Sequence, residues 1–430
     1  MNTELIRKVI ADQKEELKSK DRSGYVKRDS YDLAASLLGD PLVKVVTGVR
    51  RCGKSTFCHQ LLEGRSYGHL NFDDERLRSV NSENLDLVLE VILMEYNAPD
   101  YLLFDEIQNV EGWELFVNRL LRQGYNVILT GSNSKMLSRE LATHLTGRHV
   151  QIELFPFSFK EYVSKNGYSF DSDLSVSTKE TAQVKLLLRD YCESGGFPEL
   201  DMVESRQRYL QDLFDKIILR DIAERFKIRE LVSLKELSIV ALNYFSSQFS
   251  YTKLKNSLNF ASVNTVKDYM GYLQDTYLMD YIRIFDYKIR EEIRSPRKLY
   301  CIDTGLAGSY SFSLTEDYSK YYENLVYLEL KRRYKEVYYW KSKNNLEVDF
   351  LLKQGRQLTK AIQVSVDISA EKTRKRELDA LVAVNQELGV KNLLLLTLDN
   401  EGLEKYKNLK IQVLPIWKYL LSKQTHFSSH

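Results

Sequence analysis

Proline and glycine are scarce in this chain of 430 residues, with 6 and 19 copies. Long flexible or polyproline linkers are therefore not expected. The four cysteines, Cys52, Cys58, Cys192 and Cys301, have neither the spacing of metal ligands nor the density of a disulfide scaffold. They read as reduced thiols of a cytoplasmic protein. No apolar run approaches a membrane span; the longest lies around Leu393–Leu396. The first residues, MNTELIRKVI, lack the apolar core of a signal peptide. Charge of one sign is also lacking, since 62 Lys and Arg face 60 Asp and Glu. Any attraction to nucleic acid must then come from local patches. There is no internal repeat and no low-complexity tract.

What is present is ordinary globular material, 43% hydrophobic and 28% charged, with 28 tyrosines. The length suggests about three domains. After a helical stretch over residues 1–40, strands and helices alternate. Strands are predicted at Val43–Thr47, His69–Phe72, Tyr101–Phe104, Asn126–Thr130 and His149–Leu154. Helices are predicted at Lys54–Leu62, Glu83–Tyr96, Trp113–Arg122 and Ser134–Leu141. Such alternation implies a parallel sheet with helices on both faces. Residues 158–230 read as helical, broken at Gly195-Gly196-Phe197-Pro198.

Between the first strand and the helix after it, Gly48-Val49-Arg50-Arg51-Cys52-Gly53-Lys54-Ser55 matches G-x-x-x-x-G-K-[ST] throughout. The glycines let backbone N–H groups converge on phosphate oxygens. The helix N-terminus adds its positive end. Lys54 suits the β- and γ-phosphates of ATP, and the Ser55 hydroxyl suits Mg²⁺. Thr56 completes the binding stretch. The strand Tyr101–Phe104 then ends in two carboxylates. Asp105 is placed to hold Mg²⁺ and Glu106 to act as general base on water. A polar residue after Asn126–Thr130 would contact the γ-phosphate or the water. Asn133 is the candidate, Ser132 the alternative, and capping of the next helix is an equally good use of either.

Residues 31–200 resemble the bacterial and archaeal AAA-type ATPases of poorly defined function. The resemblance rests on GVRRCGKST (48–56), DEIQ (105–108), TGSN (130–133), LTGR (145–148), FPFSF (155–159) and GGFPE (195–199). It implies an additional-strand P-loop fold, a helical lid and often a ring or other homo-oligomer. It also implies an arginine that completes a neighbouring subunit's site. Arg148 is the candidate, with a structural or surface arginine as the plainer reading.

Residues 231–305 look like a winged helix-turn-helix. Its helices are expected at Leu234–Ser246, Thr252–Leu258 and from Ser262 to about Tyr277. Asn264, Thr265 and Lys267 would then face a duplex DNA groove. A wing over Asp286–Lys298 carries Lys288, Arg290, Arg294, Arg297 and Lys298 against Asp286, Glu291 and Glu292, a modest basic excess. Strands are expected beside it at Leu278–Phe285 and Lys298–Cys301. Residues 306–430 resemble the restriction-endonuclease-like domain often fused to these ATPases. Glu323 and Asp349 match its acidic positions, but Gln363-Val364-Ser365 stands where the resemblance expects E-x-K. Asp367 is the nearest replacement carboxylate, if the strand runs that far.

The expected architecture is therefore α/β: a P-loop parallel sheet of AAA type over 1–157, a helical lid over 158–230, a winged helix over 231–305, and an α/β nuclease-like domain without activity over 306–430. The expected function is a DNA-associated ATPase with Mg²⁺ as cofactor and no membrane contact. The alternatives are a nucleotide-controlled protein-interaction switch and an ATP-gated nuclease.

Overall fold

A computed structural model describes residues 3–19, 24–131, 147–169, 177–310 and 318–422. The chain forms two compact units, residues 1–157 and 158–430.

In the first unit, strands β1 (Val43–Thr47), β2 (Tyr67–Asn71), β3 (Tyr101–Asp105), β4 (Asn126–Gly131) and β5 (His149–Glu153) form one parallel sheet in the order β2-β3-β4-β1-β5. A strand, β4, is thus inserted between β1 and β3. This order places the ends of β1, β3 and β4 side by side, with Asp105 paired to Thr130 and Thr47 to Gly131. The two-residue period of the strands divides the sheet into two faces. Val43, Val45, Leu102, Phe104, Val127 and Leu129 share one core with the helices Thr3–Ser19, Leu85–Glu95 and Trp113–Arg122. The intervening residues Val46, Leu103 and Ile128 are also buried, and helix Lys54–Leu61 packs on β1 and β4. Helices therefore cover both faces. Gln13 seals the edge strand β2, donating to Asn71 O at 3.1 Å and accepting from Asn71 N at 2.9 Å. An unsealed edge would offer those groups to another chain.

The expected helix Ser134–Leu141, with Ser132 and Asn133, lies outside the described residues. Helix over 1–40 resolves into Thr3–Ser19 and Tyr31–Ser36, with residues 24–30 outside regular helix or strand.

The second unit begins with helices Phe159–Lys165, Thr178–Ser194 and Arg206–Lys216. A wider helical turn, Ile217–Glu224, follows directly. Then come helix Leu231–Asn243, β6 (Ser247–Phe249), helices Tyr251–Ser257 and Val263–Asp275, β7 (Met279–Arg283), a short helix Ile289–Arg294, and β8 (Arg297–Cys301). Strands β6, β8 and β7 form an antiparallel sheet in that order. Ser262 caps its helix through its hydroxyl, which accepts from Asn264 N at 3.0 Å. The three-residue strand β6 and the helix Ile289–Arg294 were not expected; both are too short to show a period.

After helix Ser319–Arg333, strands β9 (Glu336–Lys341), β10 (Glu347–Gln354), β11 (Gln357–Val364), β12 (Leu393–Thr397), β13 (Gly402–Tyr406) and β14 (Leu409–Pro415) form a mixed sheet ordered β13-β14-β12-β11-β10-β9. Helix Glu371–Leu388 crosses between the parallel pair β11 and β12. The β13–β14 hairpin was missed because its outward positions are polar and its turn, Lys407-Asn408, carries no glycine; both residues take positive φ, 46° and 65°.

One sequence motif finds a purpose in this unit. Gly195 and Gly196 wrap the Asp303 carboxylate. Gly196 N donates to Oδ2 at 2.7 Å and Leu306 N to Oδ1 at 2.9 Å. A Cβ at Gly195 would fall 2.1 Å from Oδ1, and its φ of +80° also favours glycine. Burial raises the Asp303 carboxyl to about 6, against the backbone N–H groups of Gly196, Leu306 and Gly305 that lower it.

Candidate functional site

Residues 48–56, Asp105 and Glu106 gather where β1 and β3 end. Gly48 leaves β1 with φ 150°, and a Cβ there would fall 2.0 Å from Leu154 O. Only glycine lets the loop pass the end of β5 so closely. Arg51 (φ 64°) and Gly53 (φ 93°) are left-handed, so the chain turns back into the helix Lys54–Leu61. The loop is pinned from outside: Arg28 Nη1 donates to Cys52 O at 2.9 Å and Nη2 to Phe155 O. Cys52 Sγ contacts Leu154 O at 3.2 Å. Burial raises the Cys52 thiol, although Lys54 and Arg28 work the other way. It is therefore a packed thiol rather than a reactive one. Val49 is fully buried, while Arg50, Ser55 and Thr56 are half-buried.

Lys54 is buried, and its Nζ donates to Gly48 O at 3.0 Å and Val49 O at 3.1 Å. The ammonium thus rests across the loop's own carbonyls, at the position from which it would turn to phosphate.

Asp105 ends β3 and is buried. Thr130 Oγ1, from the paired position on β4, donates to its Oδ1. His69 Nε2, from β2, lies 3.8 Å from Oδ2. Burial opposes ionisation of Asp105, but His69 and a hydrogen bond from Ser55 more than offset it, holding the carboxyl below its usual range. Ser55 and Asp105 are therefore adjacent, one neutral oxygen and one anionic. This is the donor pair that a hard cation such as Mg²⁺ takes. Glu106 follows in the left-handed region (φ 53°, ψ 37°) and Gln108 Nε2 donates to its Oε2. A non-glycine residue held there is stored strain of the kind found at functional sites.

Sequence reasoning missed Arg28, His69, Thr130 and Gln108. Thr130 was recoverable in principle, since parallel pairing sets it beside Asp105, whereas His69 pairs with Leu103 and only its side chain approaches Asp105. Arg28 acts from 24 residues away in sequence on Cys52 and carries no local signal. Asn133 and its alternative Ser132 lie outside the described residues. Arg148 is exposed just before β5, and its carbonyl accepts from Val43 N at 3.1 Å. That is the opposite end of β1 from Gly48, about 16 Å away along the strand rise. Its side chain belongs to a different part of the surface from its own chain's loop.

The wing requires a correction. Arg297 and Lys298 are buried, not displayed. Arg297 lies over the rings of Tyr251 and Tyr281, with its Cζ 4.7 and 5.6 Å from their centroids. Lys298 Nζ enters a cluster of carboxylates, 2.9 Å from Glu323 of helix Ser319–Arg333 and 3.0 Å from Glu347 of β10. The reason is the strand period: β8 is covered on both faces, and all five of its residues are buried. Lys288, Arg290 and Arg294 are exposed, as are Asn264 and Lys267, while Thr265 is half-buried.

Asp367 also needs correcting. Strand β11 ends at Val364, and Asp367 instead caps a turn, its Oδ1 accepting from Ser369 N at 2.7 Å. Gln363 is fully engaged. Its Oε1 accepts from Asp349 N at 3.1 Å and its Nε2 donates to Glu377 Oε2 at 2.7 Å. Among the described residues no group of three His, Cys, Asp or Glu side chains is arranged to hold a metal, and no helix is long and apolar enough to cross a membrane. All four cysteines are free and buried.

Comparison with known proteins agrees with this geometry. An AAA domain matches residues 40–163, and two domains of unknown function match residues 185–317 (DUF8612) and 318–419 (DUF4143). An uncharacterized protein of Methanocaldococcus jannaschii is 35% identical over 405 residues, 88% of each chain. An uncharacterized protein of Haemophilus influenzae is 29% identical over 343 residues, 76% of this chain and 83% of that one. Among solved structures, the Walker-type ATPase of Pyrococcus abyssi covers 67% of this chain and 97% of its own, at 17% identity and a TM-score of 0.43.

Proposed function

Because the chain belongs to one family with the Methanocaldococcus jannaschii protein and carries an AAA-type ATPase-like domain, we propose that it binds and hydrolyses ATP and does so in association with duplex DNA. The observation that carries the first part is geometric: the buried Asp105 ends β3, accepts from Thr130 Oγ1, and lies at the same strand ends as the loop that holds Lys54. Backbone N–H groups of 48–56 would cradle the phosphates, and Lys54 would exchange its two loop carbonyls for phosphate oxygens. Ser55 and Asp105 would hold Mg²⁺, which supplies charge neutralisation at the phosphates. Glu106, aimed by its left-handed backbone, would accept the proton of the attacking water. Asn133 would contact the γ-phosphate or that water. Arg148 is too far from its own loop, so a catalytic role requires a second copy of the chain.

The test is Lys54→Ala. Loss of the ammonium should abolish ATP turnover and weaken ATP binding, measured by phosphate release and calorimetry. Turnover at the wild-type rate would overturn the assignment of residues 48–56.

For DNA, the support is the element order helix, strand, helix, helix, strand, short helix, strand over 231–301, which suits a winged helix whose wing carries the short helix Ile289–Arg294. Exposed Asn264 and Lys267 would lie at the groove, and Lys288, Arg290 and Arg294 at phosphates. The division 158–230, 231–305 and 306–430 follows from this reading.

A second reading, a nucleotide-controlled protein switch, is favoured by one observation. Tyr287, Ile289 and Ile293 on the same wing are 77%, 67% and 49% exposed. Apolar groups in that number suit a protein partner. Salt-dependent duplex binding supports the first reading; its absence at low salt supports the second. The nuclease alternative is disfavoured by the lysine that fills the carboxylate cluster and by Gln363, whose amide is spent within the fold.

A further inference from the structure

Within the second unit, helices Thr178–Ser194, Arg206–Lys216, Thr304–Ser309 and Ser319–Arg333 surround a cavity of about 470 Å³. That is the size of a small-molecule site. Its wall carries Asp190, Glu193 and Ser194 from the first helix, Arg206 from the second and Ser309 from the third, with Tyr318 at the start of the fourth.

The donors of this wall are largely spent within the fold. The buried Ser309 donates through Oγ to Leu306 O at 2.7 Å, and the buried Ser194 to Gly195 O at 3.3 Å. Tyr318 OH donates to Glu193 Oε1, which also accepts from Arg189 Nε at 3.2 Å. Arg206 is held by two carboxylates: its Nη2 donates to Asp201 Oδ1 at 3.1 Å, and its Nη1 lies 3.5 Å from Asp190 Oδ1. A hydroxyl has one proton and two lone pairs. The two serines and Tyr318 therefore have acceptors left and no donors. Both hydrogen bonds to Glu193 fall on Oε1, which leaves Oε2 as a charged acceptor.

Gly308 forms part of the floor. Its φ is not positive, and a Cβ there would meet nothing nearer than Tyr321 OH, 3.8 Å away. Glycine weakens a helix relative to alanine. Neither backbone nor packing asks for it here; its effect is to keep the floor bare. Leu210 and the Tyr321 ring add apolar surface to the same cavity.

A wall of acceptors calls for a ligand of donors. We propose that this cavity binds a small organic cation, an amine or guanidine with a short apolar body. Its N–H groups donate to Glu193 Oε2 and to the serine hydroxyls, and its body lies against Leu210 and the tyrosine rings, whose faces attract positive charge.

The experiment titrates agmatine and spermidine into the full chain by calorimetry at physiological ionic strength, beside glutarate and inorganic phosphate. It compares wild type, Glu193→Gln and Gly308→Leu. The expected result is saturable binding of a cationic probe, at least about tenfold tighter than either anion. Glu193→Gln keeps an acceptor for Tyr318 but removes the charge, and should weaken binding at least about tenfold, the scale of a lost charged hydrogen bond. Gly308→Leu leaves every charge in place and fills the floor, and should weaken binding as much. Circular dichroism melts show which variants fold; if Gly308→Leu does not, Glu193→Gln decides the matter. No saturable binding of either cation overturns the inference. So does an anion bound as tightly, or an affinity unchanged in the folded variants. None of these readouts depends on ATP turnover, so the ATPase reading stands or falls separately.

Discussion

Lys298 Nζ lies 2.7 Å from Asp349 Oδ1, although the two residues belong to different sheets. Glu323 and Glu347 complete the cluster, and Tyr300 OH donates to Glu323 Oε1 at 2.8 Å. Burial alone would lower the Lys298 pKa, but Asp349, Glu323 and Glu347 reverse this and raise it well above its ordinary value. The lysine is thus a fixed internal counter-ion. Burial raises Glu323 to about 7, helped by Asp349 and opposed by Lys298 and Tyr300.

Replacing Lys298 with Met should therefore destabilise the second unit rather than merely weaken a surface contact. Breaking a buried ion pair by removing one partner costs about 3–5 kcal/mol. The Glu323 pKa is higher folded than unfolded, so its contribution is fully present below the unfolded value of 4.5 and lost as pH rises through about 7. The loss caused by Lys298→Met should accordingly be smaller at pH 5 than at pH 8, where the cluster is more fully charged. Urea unfolding at the two pH values measures this. A variant as stable as wild type at pH 8 would show that the lysine is not the counter-ion.

Glu106→Gln keeps the shape of the side chain but cannot accept a proton. ATP binding should survive while turnover falls at least about a hundredfold, the scale of a lost general base. Equilibrium binding of a fluorescent ATP analogue and single-turnover hydrolysis separate the two. Loss of binding would make Glu106 a structural residue.

Arg148→Ala tests whether the site is completed by a second copy. The variant should bind ATP but hydrolyse it poorly. Mixed with Lys54→Ala, it should regain part of its activity, because each copy supplies what the other lacks. The absence of rescue, with a monomer by light scattering, would leave Arg148 without a catalytic role.

For the wing, the three exposed basic residues are the ones to change. Lys288→Ala, Arg290→Ala and Arg294→Ala together should weaken duplex binding and make its salt slope shallower by roughly one unit per lost phosphate contact. Fluorescence anisotropy across a salt series checks this. Identical affinity and slope would move the contact surface elsewhere.

Much of the first unit was determined by sequence alone. Val43–Thr47, apart from Lys44, and Tyr101–Phe104 are largely apolar stretches closed by glycine or carboxylate, and burial on both faces satisfies them. The loop 48–56 announces itself because its chemistry is local: each residue works through its own backbone or the adjacent helix. What the tertiary structure decided is which distant groups meet. The insertion of β4 between β1 and β3 brings Thr130 to Asp105. Lys298 and Arg297 read as a basic wing because charge in a sequence carries no sign of depth. Only the pairing of β8 with β6 and β7 turned them inward, where carboxylates and tyrosine rings replace water. Asp367 shows the converse: its two-residue spacing from Ser365 meant a shared strand face only if β11 continued, and the strand stops at Val364. Periodicity fixes which residues share an element; which elements share a site is set by long-range packing, which no local pattern encodes.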